Sequence, residues 1–163
     1  MITSKFEEAD MVSKLNVGVR SHIDELLPSY ATEESACMDI RSNEDIIIKP
    51  GHTCLVSTGI HTEIPKGYVA LVFPRSGLSI KQGGSLANCV GVIDSDYRGE
   101  WKIGLFNHNP KKLFSRKNHI KIVKGDRIAQ FLILRIPKIH LIEANILNET
   151  DRGEGGFGST GNK

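Results

Sequence analysis

Gly- and Pro-bearing turn signals cut this chain into short apolar runs, and that punctuation limits what it can fold into more than any other feature. The signals are Pro50-Gly51, Pro65-Lys66-Gly67, Gly83-Gly84, Asn109-Pro110, Lys124-Gly125-Asp126 and Pro137. Between them lie Ile46–Ile48, Thr53–Ile60, Tyr68–Phe73, Trp101–Phe106, Ile120–Val123, Arg127–Ile136 and Ile139–Ile142. These runs are rich in β-branched and aromatic residues, which pack well on a pleated, half-buried surface. In Trp101-Lys102-Ile103-Gly104-Leu105, large apolar residues alternate with Lys and Gly. That period of two sets one face on a core and the other in solvent. No long segment keeps a helical period; Ser21–Leu27 has room for a turn or two before Pro28 ends it. Many short strands predict an all-β sandwich or barrel with short helical turns.

Composition removes several function classes. The 163 residues suit one domain. Lys and Arg total 21 and Asp and Glu 19, a net charge of +2 that argues against a nucleic-acid coat and against an acidic tail. A basic run, Lys111, Lys112, Arg116, Lys117, Lys121 and Lys124, has no acid within it. It is either a polyanion patch or a solvated face, and the near-neutral total favours the solvated face. The most apolar stretch, Ile128–Ile136, is broken by Gln130 and Arg135 and is far shorter than the roughly 20 residues of a membrane span. Residues 1–14 carry Glu7, Glu8 and Asp10 where a secretory signal needs a basic and then an apolar stretch. Cys37, Cys54 and Cys89 are far apart and form no CxxC pair. They suggest neither zinc nor disulfides, and a reducing cytoplasm is the expected compartment. There is no HExxH or GxSxG, and the six histidines are scattered.

Four segments have residues suited to chemistry. Pro74-Arg75-Ser76-Gly77-Leu78 follows an apolar strand and reads as an anion-binding turn or an ordinary β-turn. Gly91-Val-Ile-Asp-Ser-Asp-Tyr-Arg-Gly-Glu100 places Asp94 at a strand end, as a general base polarising water or as a turn residue. Its Tyr97 can stack on a sugar or cover the edge of the core. Gly125-Asp-Arg-Ile-Ala-Gln130 sets an amide in an otherwise apolar strand, where it needs a backbone or ligand partner. Arg152-Gly-Glu-Gly-Gly-Phe-Gly-Ser-Thr-Gly161 holds the donors of a phosphate loop: flexible glycines, hydroxyls and a guanidinium fork. It lacks the Lys and the strand–helix frame of a Walker A loop. Phe157 sets it apart from a plain Gly/Ser linker, because a lid closing on a base has use for an aromatic.

In this order, with Ala36-Cys37-Met38-Asp39-Ile40 before them, the segments resemble the five motifs of the trimeric all-β dUTP pyrophosphatases, the dUTPases. Leu27-Pro-Ser-Tyr-Ala-Thr32 is also typical of that family, and the resemblance spans roughly residues 16–161. It implies a dUTPase-like β-barrel or jelly roll at 15–147, after an N-terminal extension at 1–14. A Gly-rich arm at 148–163 would close over the nucleotide.

The resemblance implies hydrolysis of dUTP to dUMP and pyrophosphate, keeping uracil out of DNA and supplying dUMP for dTMP synthesis. Asp94 would activate the water that attacks the α-phosphorus, and Tyr97 would pack on the deoxyribose. Asn88 and the backbone of Gly91, Val92 and Ile93 would read uracil. Arg75, Ser76, Gly77 and Gln130 would hold phosphates, with Lys102 beside them. Phe157 would stack on the base while Arg152, Gly158, Ser159 and Thr160 grip the outer phosphates. Mg²⁺ would ride on the triphosphate, with Asp39 supporting it through water. The working unit would be a homotrimer with sites shared between subunits.

The chain departs from the family pattern twice: Cys37 stands where Gly is usual, and the connection at about 108–124, which holds the basic run, is longer than in compact members. Two rivals remain at this point. One is the dCTP deaminase branch of the superfamily, which the Asp94/Tyr97 segment and the Phe157 arm disfavour. The other is a binding module keeping the motifs as a relic, which their chemical intactness disfavours.

Overall fold

The computed structural model describes residues 14–21, 23–111 and 118–156. It is built of twelve short strands: β1 (Gly18–Arg20), β2 (Ser29–Tyr30), β3 (Met38–Arg41), β4 (Ile46–Ile48), β5 (Thr53–Ser57), β6 (His61–Glu63), β7 (Tyr68–Pro74), β8 (Gly84–Leu86), β9 (Gly91–Ile93), β10 (Lys102–Asn107), β11 (Ile120–Ile122) and β12 (Arg127–Arg135). All pairings are antiparallel. The largest sheet runs β2-β3-β12-β7-β9; the others are β5-β10-β8, β11-β4 and β1-β6. The all-β expectation holds. One helical turn, Asp24–Leu26, falls where Ser21–Leu27 predicts it. A second, Gly77–Lys81, follows β7 directly, so the Pro74–Leu78 segment leads into a wide helical turn.

Alternation explains β10. Ile103, Leu105 and Asn107 point inward, while Lys102 is exposed. Ile40, Ile48, Val56, Val72, Leu105, Ile120 and Ile128, each no more than 2% exposed, fill the space between the sheets. Trp101 lies among them at 1% exposure, its ring meeting Phe131 edge-on with centroids 5.1 Å apart. Its backbone is held as well: Trp101 N donates to Ile60 O (2.8 Å), and Thr58 Oγ1 donates to Trp101 O (2.5 Å).

Asn107, fully buried, closes the base of the connection between β10 and β11. Its Nδ2 donates to Ile48 O (2.8 Å) and Asn118 O (2.9 Å), and its Oδ1 accepts from Asn109 N (2.9 Å). The remaining tip, 112–117, lies outside the described residues.

One expected strand is not there. Ile139–Ile142 has no strand pairing among the described residues, and Ile139, Leu141, Ile142, Ile146 and Leu147 are 77–88% exposed. The run has the composition of a strand, but none of the described strands pairs with it. Cys37 is accommodated without strain, since Cys89 is the one described non-glycine residue with positive φ (61°).

Replacing Trp101 with Ala removes the largest buried side chain, and we expect a loss of about 3–5 kcal/mol of stability, read as a lower denaturant midpoint.

Candidate active site

Sheet register brings three of the motifs onto one face. Asp39 of β3 stands opposite Gln130 of β12, which stands opposite Phe73 of β7. Directly opposed residues share a face, as do residues two apart on one strand. Phe73 and Arg75 are two apart, so Asp39, Gln130 and Arg75 converge at this end of the sheet.

The convergence is ionic. Asp39 is 6% exposed, and each of its oxygens takes a guanidinium. Arg75 Nε lies 2.7 Å from Oδ1, and Arg127 Nη1 lies 3.0 Å from Oδ2. Arg75 Nη1 also donates to Arg127 O (3.2 Å). Arg127 reaches Asp39 because the register slips between Arg127 and Ala129, and such a bulge re-aims a side chain. Gln130 Nε2 donates to Pro74 O (3.0 Å), which settles its need for a partner on the backbone side. Ser76 is exposed, and Gly77 has open space where a Cβ would stand. An anion can therefore come close to the backbone there.

The Gly91–Glu100 segment lines a cleft of about 520 Å³ walled by Leu55, Val92, Asp94, Tyr97, Glu100 and Lys102. β9 enters it, with Gly91, Val92 and Ile93 opposite Val72, Leu71 and Ala70. A side chain at Gly91 would press its Cβ to 3.1 Å from Val72 Cβ, so glycine there serves close strand approach. Asn88 is exposed in the turn before β9.

Asp94 opens the turn that carries the chain from β9 in one sheet to β10 in another, with an exposed carboxylate. Tyr97 folds back so that its hydroxyl donates to Glu100 O (3.0 Å). A side chain on Gly99 would collide with that ring. Glu100 Oε1 accepts Ser57 Oγ (2.5 Å), Gly59 N (2.9 Å) and Thr58 N (3.1 Å), and Lys102 Nζ stands 3.8 Å from Oε2.

Burial pushes the Glu100 carboxyl up, but the Ser57 hydroxyl, the Gly59 and Thr58 N–H groups and the Lys102 charge together leave it below its ordinary value. Its stabilising contribution is thus present above the ordinary carboxylate range and is lost as pH falls through the lowered value. Burial first, and then the Asp39 charge, raise the Cys37 thiol, which keeps it protonated and inert.

These two halves do not meet within one chain. Ile93 pairs with Ala70, so Asp94 comes level with Val69, whereas Arg75 lies just past the far end of β7, six residues on, about 20 Å along the strand direction. Arg152 stands apart from both, its Nε donating to Gly155 O (2.8 Å) in an exposed turn. Phe157, Gly158, Ser159 and Thr160 lie outside the described residues.

A family signature described as dUTPase matches residues 25–161. The chain belongs to the dUTPase family. The deoxyuridine 5'-triphosphate nucleotidohydrolase of Nautilia profundicola is 46% identical over 136 residues, 83% of this chain and 91% of that one. The same enzyme of Finegoldia magna is 47% identical over 137 residues, again 83% and 91%. Among solved structures, the Staphylococcus bacteriophage 80alpha dUTPase with dUPNHPP overlays with a TM-score of 0.80 at 28% identity, covering 91% of this chain and 99% of that one. A mutant dUTPase from phage phi11 of S. aureus, described with a structural Mg(II) ion, shares the fold (TM-score 0.76, 23% identity, 83% and 100% covered).

Within this dUTPase, two residues escaped the sequence reading: Arg127 and Glu100. Each sits inside a recognised motif, but its role depends on partners 88 and 43 residues away.

Asp39→Ala leaves two guanidiniums facing each other without their shared counter-ion. Both keep some solvent, so we expect a loss of about 1–3 kcal/mol, below that of a fully buried pair, measured by urea unfolding.

Proposed function

We propose that the chain hydrolyses dUTP to dUMP and pyrophosphate in sites assembled from more than one copy of itself. The carrying observation is the placement of an exposed carboxylate, Asp94, in a cleft with Tyr97 and Lys102, far along the sheet from the anion-binding turn at Arg75. The offset is longer than a nucleotide's triphosphate can span. A neighbouring copy bringing its Arg75, Ser76, Gly77 and Gln130 to the mouth of this cleft removes the mismatch. The exposed apolar run Ile139–Leu147 supports such an assembly, because so much apolar surface is usually covered in a working protein. A homotrimer is the assembly we favour, with the arm of a third copy, through Arg152 and residues 157–160, closing over the nucleotide.

In this reading Asp94 orients a water and accepts its proton as the oxygen attacks the α-phosphorus. The bond from that phosphorus to the bridging oxygen breaks, and pyrophosphate leaves. Tyr97, held over the turn by its bond to Glu100 O, packs on the deoxyribose where a 2′-hydroxyl would collide. Asn88 and the backbone of Gly91–Ile93 face the uracil edge. Arg75 is aimed by Asp39 before substrate arrives, so little reorganisation is needed.

Mg²⁺ fits this donor set as a passenger on the triphosphate. Among the described residues no group of three or more His, Cys, Asp or Glu is placed to hold a metal. Asp39, with both oxygens on arginines, has reach to an ion only through water. When bound, the ion would neutralise phosphate charge and make the α-phosphorus easier to attack.

Among the described residues no helix is long and apolar enough to cross a membrane. The three free thiols fit a reducing cytoplasm.

Pyrophosphate release from dUTP, dCTP, dTTP and UTP tests the substrate. We expect turnover of dUTP only. Asp94→Asn should lower kcat by roughly 10²- to 10⁴-fold while dUTP still binds. Mixing inactive Asp94→Asn with inactive Arg75→Ala chains under exchange conditions tests the assembly. Shared sites regain activity, because one copy's Asp94 meets another's Arg75; sites confined to one chain stay dead.

A further inference from the structure

Glu100 is a node at the floor of the cleft. Its backbone oxygen takes the Tyr97 hydroxyl (3.0 Å). Its Oε1 takes three donors from Ser57, Thr58 and Gly59, the turn that follows β5. Its Oε2 faces Lys102 Nζ at 3.8 Å. One residue, through its backbone oxygen and its carboxylate, therefore joins the turn bearing Asp94 and Tyr97, the rim of the β5-β10-β8 sheet, and the cleft lysine. On the far side the turn is held more loosely: His61 Nδ1 lies 3.0 Å from Arg98 O, and Arg98 Nη2 is 3.8 Å from Glu63 in an exposed pair. Exposed pairs contribute little. Three bonds converging on one shielded carboxylate oxygen are the firmer tether.

We propose that Glu100 is a positioning residue, tying the Asp94–Gly99 turn to the Ser57–Gly59 turn and so setting where Asp94 and Tyr97 stand against the nucleotide. The proposal rests on the Asp94 turn being the reacting half of the site. The tether needs an acceptor oxygen at the distance of a Glu side chain. A Gln carbonyl supplies one at the same length, an Asp carboxylate falls one methylene short, and Ala supplies none. The second oxygen has a separate effect. Its negative charge offsets that of Lys102, and Gln removes that offset.

The test is steady-state kinetics of dUTP hydrolysis with Mg²⁺ for Glu100→Ala, Glu100→Gln and Glu100→Asp, beside unfolding midpoints for each. Misplacing a reacting group by about 1 Å costs up to 10²-fold, so Glu100→Ala and Glu100→Asp should lose roughly 10- to 100-fold in kcat. Glu100→Gln should recover kcat to within about threefold and lower KM, because Lys102 then meets the polyphosphate with its full charge. A normal kcat in Glu100→Ala overturns the proposal. So does a Glu100→Gln enzyme as slow as the Ala variant while equally well folded.

If Glu100→Ala does not fold, Ser57→Ala takes its place. That variant should lose a few-fold in kcat alone, and adding Glu100→Asp to it should cost less than the two single losses combined. Strictly additive losses overturn the tether. Asp94→Asn, measured in parallel, separates the two readings: an active Asp94→Asn defeats the assignment of the Asp94 turn whatever Glu100 does. A dead Asp94→Asn beside a normal Glu100→Ala defeats only the tether.

Discussion

The antiparallel ladder between β7 and β12 is the constraint on which the rest of this molecule depends. Seven residue pairs, from Ala129↔Pro74 to Arg135↔Tyr68, hold the two strands in one register. At one end the ladder delivers Arg75 and Gln130 to the same face as Asp39. Towards the other, β7 takes β9 on its free edge and so fixes where the Asp94 turn begins. A slip of one residue would turn every side chain of the shifted strand to the opposite face and dissolve both arrangements at once. The core and the candidate site are thus set by the same hydrogen bonds.

Two carboxylates within this frame are satisfied in different ways, and the difference suits their places. Asp39 is nearly buried and answered by charge, with one arginine on each oxygen. Glu100 is answered mostly by neutral donors, with a single distant lysine. The first arrangement holds two guanidiniums ready for an anion without leaving a bare charge in the sheet. The second fixes a carboxylate to the Ser57–Gly59 turn through hydrogen bonds. Such pairwise local balancing accounts for a chain that handles a polyanion yet carries a net charge of only +2.

How far the sequence could be read depended on the range of the physics involved. Strands β4, β5, β7, β10, β11 and β12 announce themselves by local composition between turn residues. Asp94, Tyr97, Arg75 and Gln130 stand out because each is an odd residue in its local setting: a carboxylate after an apolar run, an amide inside one. β3 is legible only as part of a motif, because Met38-Asp-Ile-Arg41 alternates weakly and is a strand by virtue of pairing with β12. Nothing local marks Arg127, and only the bulge aims it at Asp39. Nothing local marks Glu100 either, and only the fold brings Ser57–Gly59 beneath it. Ile139–Ile142 fails in the other direction, since strand composition alone supplies no partner edge.

Trp101 brings the two scales together. It is the sole tryptophan of the chain, 1% exposed, and its indole N–H has no hydrogen-bond partner among the described residues. It follows Glu100 directly and precedes Lys102, so its ring hangs into the core from the floor of the cleft. An indole in such dry surroundings emits at short wavelength and responds to small shifts of its neighbours. The arm carries no tryptophan and is silent in that signal. The protein therefore contains a native optical gauge set in the core directly beneath the cleft, and none in the arm.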